Sequence, residues 1–241
     1  MTRELVYGRN AVREALRGRR AVLELWASER AAGSSPWLEE GPRVHVRRER
    51  DLTQAAGTAD HQGVVAWCEP YPYADAWELA AAERPLLACL DQVTDPRNLG
   101  AVARSAAGAG ATGVVVPEHR AARVTAAVCR ASAGAVEHLP VAVVPNLARY
   151  LGEVKSGELW AFAAVGGAGE PLWDVDLQGG VALVFGAEGK GVRPLVRRTC
   201  DGAVSIPLGP GVESLNVSVA AAVLLYEARR QRSLAGRDGS T

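Results

Sequence analysis

The stretch LLACLDQVTDPRNLGAVARSAAGAGATGVVVP, residues 86 to 117, decides the fold class of this chain. Its two ends, LLACLD, apolar up to its closing Asp91, and GVVVP, are runs of strand length. Between them Asp95 and Pro96 form a helix start: an aspartate accepts from free N–H groups, and proline has no N–H to waste in the first turn. Leu99, Val102, Ala103 and Ala106 then recur at helical spacing and give that helix one apolar face.

Outward from this unit the pattern repeats. VAVV, LWAFAAV, VALVFG and AVSIPL are further strands, with helices expected around residues 98 to 109, 121 to 132, 146 to 154, 191 to 199 and 215 to 231. Such alternation predicts an α/β domain over residues 85–241, with a mostly parallel sheet covered on both faces. The tail SLAGRDGST is polar and small and is expected to fray. Toward the start of the chain the order differs. AVREALRG has helical spacing, VLELWAS and PRVHVRR have strand character, DLTQAAG is a short helix and GVVAWC a closing strand, which together predict a small α+β domain over residues 1–70. EPYPYADAWELAAAERP, where prolines and tyrosines give way to a polar helical stretch, reads as a linker over 71–84.

Apolar residues make up 48% and charged residues 22% of the 241, values of a globular protein with its own core. No stretch approaches the roughly 18 to 20 apolar residues of a membrane span, and the charged first residues lack a secretory signal, so a cytoplasmic location is expected. The four cysteines, Cys68, Cys89, Cys129 and Cys200, lack zinc-site spacing and read as buried reduced thiols, and no metal is expected. Net charge is zero, yet only two of the 27 cationic residues are lysines. Six arginines, among them Arg17, Arg19 and Arg20, stand in the first twenty residues against two glutamates, and Arg43, Arg47, Arg48 and Arg50 form a second cluster. Both are candidate phosphate-contacting surfaces, although charge runs are also the usual composition of a solvated face.

Gly108, Gly110 and Gly113 satisfy the dinucleotide pattern G-x-G-x-x-G, but they end a helix and precede a strand, the reverse of what that site needs. They read as a helix stop and turn. GAEGKG, residues 186 to 191, lacks the spacing that wraps phosphates in a nucleotide triphosphatase, and no nucleophile elbow is present. His45, His61, His119 and His138 show no partner spacing and read as structural or exposed.

Three loops at the carboxyl ends of predicted strands remain, the place where open α/β sheets bind ligands. In DPRNLGAVARSA, residues 95 to 106, Asp95 is a cap, and Asn98 and Arg104 are either solvated or directed into a cleft. In LVFGAEGKGV, residues 183 to 192, closely spaced glycines let backbone approach a ligand, with Glu188 the lone acid among them. In IPLGPGVESLNVSVA, residues 206 to 220, Ser214 is placed to cap a helix carrying Asn216 and Ser218 in its first turn.

In these three segments, in this order, the chain resembles the SpoU or TrmH class of the SPOUT methyltransferases, most like the RlmB type that methylates guanosine ribose in 23S ribosomal RNA. VYGRNAVREAL and HQGVVA in the first domain are similar as well. The resemblance implies a deep trefoil knot in the second domain, a ribosomal-protein-like RNA-binding fold in the first, and a homodimer. It implies S-adenosylmethionine held in the knotted loops at Gly186, Ile206, Leu208 and Leu215. It also implies transfer of the methyl group to a ribose 2′-hydroxyl, with Arg104 acting on that hydroxyl, Glu188 orienting it, and Asn98, Ser214 and Asn216 completing the site. Arg17, Arg19, Arg20, Arg47 and Arg48 become the candidate RNA contacts. An arginine keeps its proton at any ordinary pH, so Arg104 fits stabilisation of the developing alkoxide better than proton abstraction. Transfer-RNA methylation, an antibiotic-resistance methylase and a noncatalytic ribosome-assembly factor are the alternatives. The dimer is expected to use the last helix, where Val223, Leu224 and Leu225 offer apolar surface beyond one core-facing stripe.

Overall fold

The computed structural model describes residues 2–155, 158–167 and 169–238. Along the chain run β1 (Glu4–Tyr7), α1 (Arg9–Arg17), β2 (Val22–Ala27), α2 (Glu29–Gly33), β3 (Val44–Val46), α3 (Glu49–Ala56) and β4 (Val64–Cys68). They are followed by α4 (Ala76–Ala80), β5 (Leu86–Asp91), α5 (Pro96–Ala109), β6 (Gly113–Pro117), α6 (Ala126–Ala131), β7 (Val141–Val144) and α7 (Leu147–Val154). The last elements are β8 (Leu159–Val165), β9 (Glu170–Pro171), β10 (Gly180–Gly186), α8 (Pro194–Thr199), β11 (Gly202–Ser205) and α9 (Val217–Asp238). The chain forms two compact units, Met1–Pro72 with Arg123–His138, and Tyr73–Ala122 with Leu139–Thr241.

The first unit is built on a four-stranded sheet of order β1-β4-β2-β3, with β4 antiparallel to both neighbours and β3 parallel to β2. The segment HQG closes it. The buried His61 accepts from Gly63 N–H through Nδ1 (3.0 Å) and meets Thr53 Oγ1 through Nε2 (3.0 Å), while Gln62 Oε1 accepts from the first N–H of α1, that of Arg9 (3.1 Å).

Arg20 corrects an expectation, because its guanidinium is sealed inside this unit and cannot reach RNA. Its side chain is 2% exposed and forms a two-pronged pair with Glu137 (2.8 and 3.0 Å), itself 1% exposed, and a further bond to Glu4 (2.7 Å). Burial alone would pull the guanidinium down, but the hydrogen bonds and charge of Glu137 outweigh it and hold Arg20 above its ordinary value. This pair fastens residues 123–138 to the first unit, which sequence spacing gave no reason to expect.

The second unit has a seven-stranded sheet of order β7-β6-β5-β10-β8-β11-β9, parallel at every pairing. All six residues of β5 and all five of β6 are buried, as a doubly covered sheet requires, and all but the closing Asp91 of β5 are apolar or glycine. Leu87, Cys89, Val115, Val144 and Val184 meet Leu147, Tyr150 and Leu151 of α7 in the core on one side. On the other, α9 lies against β5 and β10 and packs along α5. Asp95 Oδ1 caps α5 by accepting from Arg97 N–H (2.8 Å) with Pro96 in the first turn. At the far end Gly110, at φ 74°, lets Ala111 N–H bond back to Ala106 (2.9 Å), the left-handed stop that only glycine adopts freely. The glycine pattern at 108 to 113 is therefore a helix stop before a strand.

Several boundaries differ from expectation. Residues 71–84 are shared between the units: Tyr71 is buried and donates to Val136 O (2.9 Å), whereas Asp75 caps α4, whose Ala76 and Leu79 join the second core. Helix α9 continues to Asp238 rather than stopping at 231, and the end of the tail expected to fray, 239–241, lies outside the described residues. Leu224 and Leu225 are fully buried, so they serve the core and not an outer surface; the exposed apolar residues of α9 include Val219, Val223 and Tyr226. Cys68, Cys89 and Cys129 are buried and Cys200 half-buried, all as free thiols. Among the described residues no helix is long and apolar enough to cross a membrane, and no group of three or more His, Cys, Asp or Glu is placed to hold a metal ion.

Candidate active site

Strand order reverses at β5 and β10, where Gly186 pairs in register with Asp91 at the carboxyl ends of both strands. A sheet opens a crevice at such a point because the connections leave in opposite directions. Asp91 is fully buried there and holds Arg193, from the chain after β10, by its backbone N–H (2.8 Å) and its guanidinium (2.7 Å). This anchor was not singled out from sequence; the signal was an acid ending a wholly apolar strand, which needs a partner when buried.

After β10 the chain folds back at once, with Gly191 N–H bonding to Ala187 O (2.8 Å). A Cβ on Gly186 would lie 1.9 Å from the carbonyl carbon of Gly191, so this position admits only glycine. The glycines of the second motif therefore bring backbone to the edge of a cleft of about 550 Å³. Gly186, Ile206, Leu208 and Leu215, the positions proposed for the cofactor, all line it, together with Glu188, Ser214 and Asn216. Its apolar wall and exposed peptide groups suit a flat heteroaromatic ring edged by hydrogen-bonding groups, and its volume is that of a small-molecule site. S-adenosylmethionine fits this donor set. Ala164 and Val165 at the end of β8, with Gly166 just after it, also line the cleft and were missed, although the carboxyl end of that strand was itself the usable signal.

One side chain joins the three motifs. Asn216 Nδ2 donates to Asn98 Oδ1 (3.2 Å) and to Glu188 Oε1 (3.0 Å), while its Oδ1 accepts from the N–H (2.9 Å) and hydroxyl (2.6 Å) of Ser218. Asn216, not Ser214, is thus the residue that caps α9, and Ser214 stands earlier in the loop on the cleft wall. Arg104 is not part of this junction. It is exposed on α5 and does not line the cleft. It lies six positions after Asn98, which turns it about 120° around the helix and about 9 Å along it.

The proposed RNA contacts in the first unit also divide. Arg17 is paired with Glu40 (2.7 and 2.8 Å), and Arg19 bonds to Tyr71 Oη (2.8 Å). Arg47 and Arg48 are exposed, with the Arg47 guanidinium 5.1 Å from the centre of the Trp26 ring and Trp26 edge-on to Trp67 at 4.5 Å.

Known proteins share both units. Residues 85–226 match the model of the SpoU rRNA methylase family, and residues 5–74 match the RNA 2′-O ribose methyltransferase substrate-binding model. The chain is 46% identical over 208 residues to the 23S rRNA (guanosine-2′-O-)-methyltransferase RlmB of Xanthomonas campestris pv. campestris, covering 81% of this chain and 82% of that one. It is 42% identical over 242 residues to the enzyme of the same name from Ralstonia nicotianae, covering 96% and 97%. Among solved structures it is similar to the SpoU methyltransferase AviRb of Streptomyces viridochromogenes in complex with AdoMet, with a TM-score of 0.80 and 28% identity over 96% of this chain and 91% of that one. With one family model across most of the second unit and its companion across the first, the chain belongs to the SpoU rRNA methylase family.

Proposed function

We propose that this RNA 2′-O-ribose methyltransferase, which draws its methyl group from S-adenosylmethionine, acts on a guanosine of large-subunit ribosomal RNA. The observation that carries the target is the 42% identity, over nearly the full length of both chains, to a relative named for that reaction. The bound cofactor supplies an electrophilic methyl group. Gly186, Ile206, Leu208 and Leu215 hold the donor side, and the Asn98–Asn216–Glu188 junction orients the ribose so that its hydroxyl lies in line with the methyl group. Arg104 stabilises the alkoxide as it develops.

Arg104 reaches a cleft through a second copy of the chain. Val219, Val223 and Tyr226 leave an exposed apolar strip on α9, the helix that packs along α5, and a homodimer covering it would carry the Arg104 of one subunit toward the partner's cleft. Threading of the chain beyond β10 as a deep trefoil knot belongs to the same reading. It is supported by the tight return at Gly186 beside the segment from Ile206 to Asn216. The RNA surface of the first unit is centred on Arg47, Arg48 and Trp26, and the working location is the cytoplasm.

Mapping of 2′-O-methyl groups in cells with and without the protein tests the target. Loss of one methylated guanosine in large-subunit RNA is expected; loss in transfer RNA alone would overturn the assignment.

A further inference from the structure

Beside the cofactor cleft lies a second cavity of about 440 Å³. The two share Ala187, Glu188, Lys190 and Val217, so they are halves of one depression divided by the loop that carries Glu188. Asn216 lines the first half and Asn98 the second, and they hydrogen-bond across the divide. A methyl group moves in line from donor to acceptor. With the donor in the half walled by Ile206, Leu208 and Leu215, the acceptor nucleotide belongs in the other.

The second cavity has the chemistry for a nucleotide. Gln92, Thr94 and Asn98 offer amide and hydroxyl groups suited to sugar and base edges, and Arg120 and Lys190 bring two exposed cations. Among the described residues neither cation has an ion-pair partner, in contrast with Arg193, which Asp91 holds. The position of Arg120 is built rather than incidental. Its φ is 57°, in the left-handed region that a residue with a side chain enters at a cost, and Gln92 on the facing loop has φ 61°. A backbone bond from Ala122 N–H to Val93 O (2.9 Å) ties these two loops together. Arg120 also lines an adjoining cavity of about 390 Å³ with His119, Asn146 and Arg193, which extends the cationic edge away from the transfer site.

We propose that Arg120 grips a phosphodiester of the RNA beside the target ribose, with the target nucleotide seated between Gln92 and Lys190 and the strand leaving over His119. The planar guanidinium fork matches a phosphate in two-point contact, and each neutralised phosphate adds to the salt dependence of binding. This inference rests on the methyl-transfer reading of the Asn98–Asn216–Glu188 junction.

The test uses the full chain and large-subunit ribosomal RNA transcribed in vitro, with binding followed against salt and methyl transfer followed from labelled cofactor. Arg120→Asn removes the charge and keeps a residue that tolerates the left-handed backbone. It should raise Kd and KM for RNA roughly tenfold and lower the slope of log affinity against log salt by about 0.7, leaving cofactor affinity and kcat within about twofold. Arg120→Lys should restore most of the slope, and Lys190→Gln, at an unstrained position, should lower it by a similar amount. Unchanged slope and KM in Arg120→Asn, or a fall in kcat alone, would overturn the proposal. Should the wild type methylate no site on the transcript, the target assignment fails, and the salt slope on the same RNA still decides the role of Arg120.

Discussion

Asn216 and Glu188 are 28 residues apart in sequence and joined by a 3.0 Å hydrogen bond from Nδ2 to Oε1, while the other end of the same asparagine caps α9. One side chain therefore fixes both the start of a helix and the direction of a carboxylate on the cleft wall. Asn216→Asp separates the two tasks. Aspartate caps a helix as well as asparagine does but has no N–H to give Glu188 and sets a second carboxylate against it. The melting temperature should stay near wild type while single-turnover methyl transfer falls about a hundredfold, the order seen for loss of an oriented polar contact at a transition state. Asn216→Ala should lose the rate and also about 1 kcal/mol of stability from the cap. A fully active Asn216→Asp enzyme would show that the junction is only structural.

Arg104→Ala should fold normally, since the side chain is exposed and alanine is the better helix former. Its single-turnover rate should fall about a hundredfold, on the order of 3 kcal/mol of barrier, with calorimetric cofactor affinity unchanged. Because Arg104 stands off the cleft of its own chain, mixing inactive Arg104→Ala with inactive Glu188→Gln should recover about a quarter of wild-type activity, as half the subunits form mixed dimers with one intact site. No recovery, or a monomer by light scattering with activity intact, would place the arginine in its own chain's site.

Arginines of the first unit should sort by burial. Glu137→Ala leaves the Arg20 guanidinium without its main partner inside the unit, and should cost about 3 to 5 kcal/mol in chemical denaturation. Arg47→Glu with Arg48→Glu should leave stability nearly unchanged and weaken RNA binding, with a flatter dependence on salt. If reversal at 47 and 48 leaves that slope intact, the RNA surface lies elsewhere.

Alkaline pH should destabilise the fold through its thiols. Burial raises Cys68 and Cys200 to about 12, whereas an unfolded cysteine ionises near 8.5. Between those values the unfolded chain has lost protons that the folded chain still binds, so stability falls as pH rises through that window and is flat below it with respect to these groups. Denaturation midpoints from pH 7 to 10, beside a variant with both cysteines replaced by alanine, would measure it; a wild-type curve as flat as the variant's would contradict the assignment. At pH 8 the native thiols should also resist a disulfide reagent that reacts with the unfolded chain.

Periodicity and punctuation were enough for the local structure. Apolar runs too short for helices, the Asp95–Pro96 start and the Gly110 stop fixed strands and helices and refuted the dinucleotide site, because these signals act within a turn or two of the backbone. The position of the cleft was legible too, since loops at the carboxyl ends of parallel strands share one edge of the sheet. What each polar residue does was decided by contacts across long separations. Glu137 lies 117 residues from the Arg20 it neutralises, so a run of arginines alone gave no sign that one of them was a buried structural ion. Asn216 and Ser214 are equally good caps by composition, and only the path of the loop chose between them. Leu224 and Leu225 look like surplus surface in a helical projection until the sheet and α5 close over them. A charge, a cap or an apolar side chain has a local propensity, but its free energy depends on what packing sets beside it, and in this chain that neighbour comes from a distant segment.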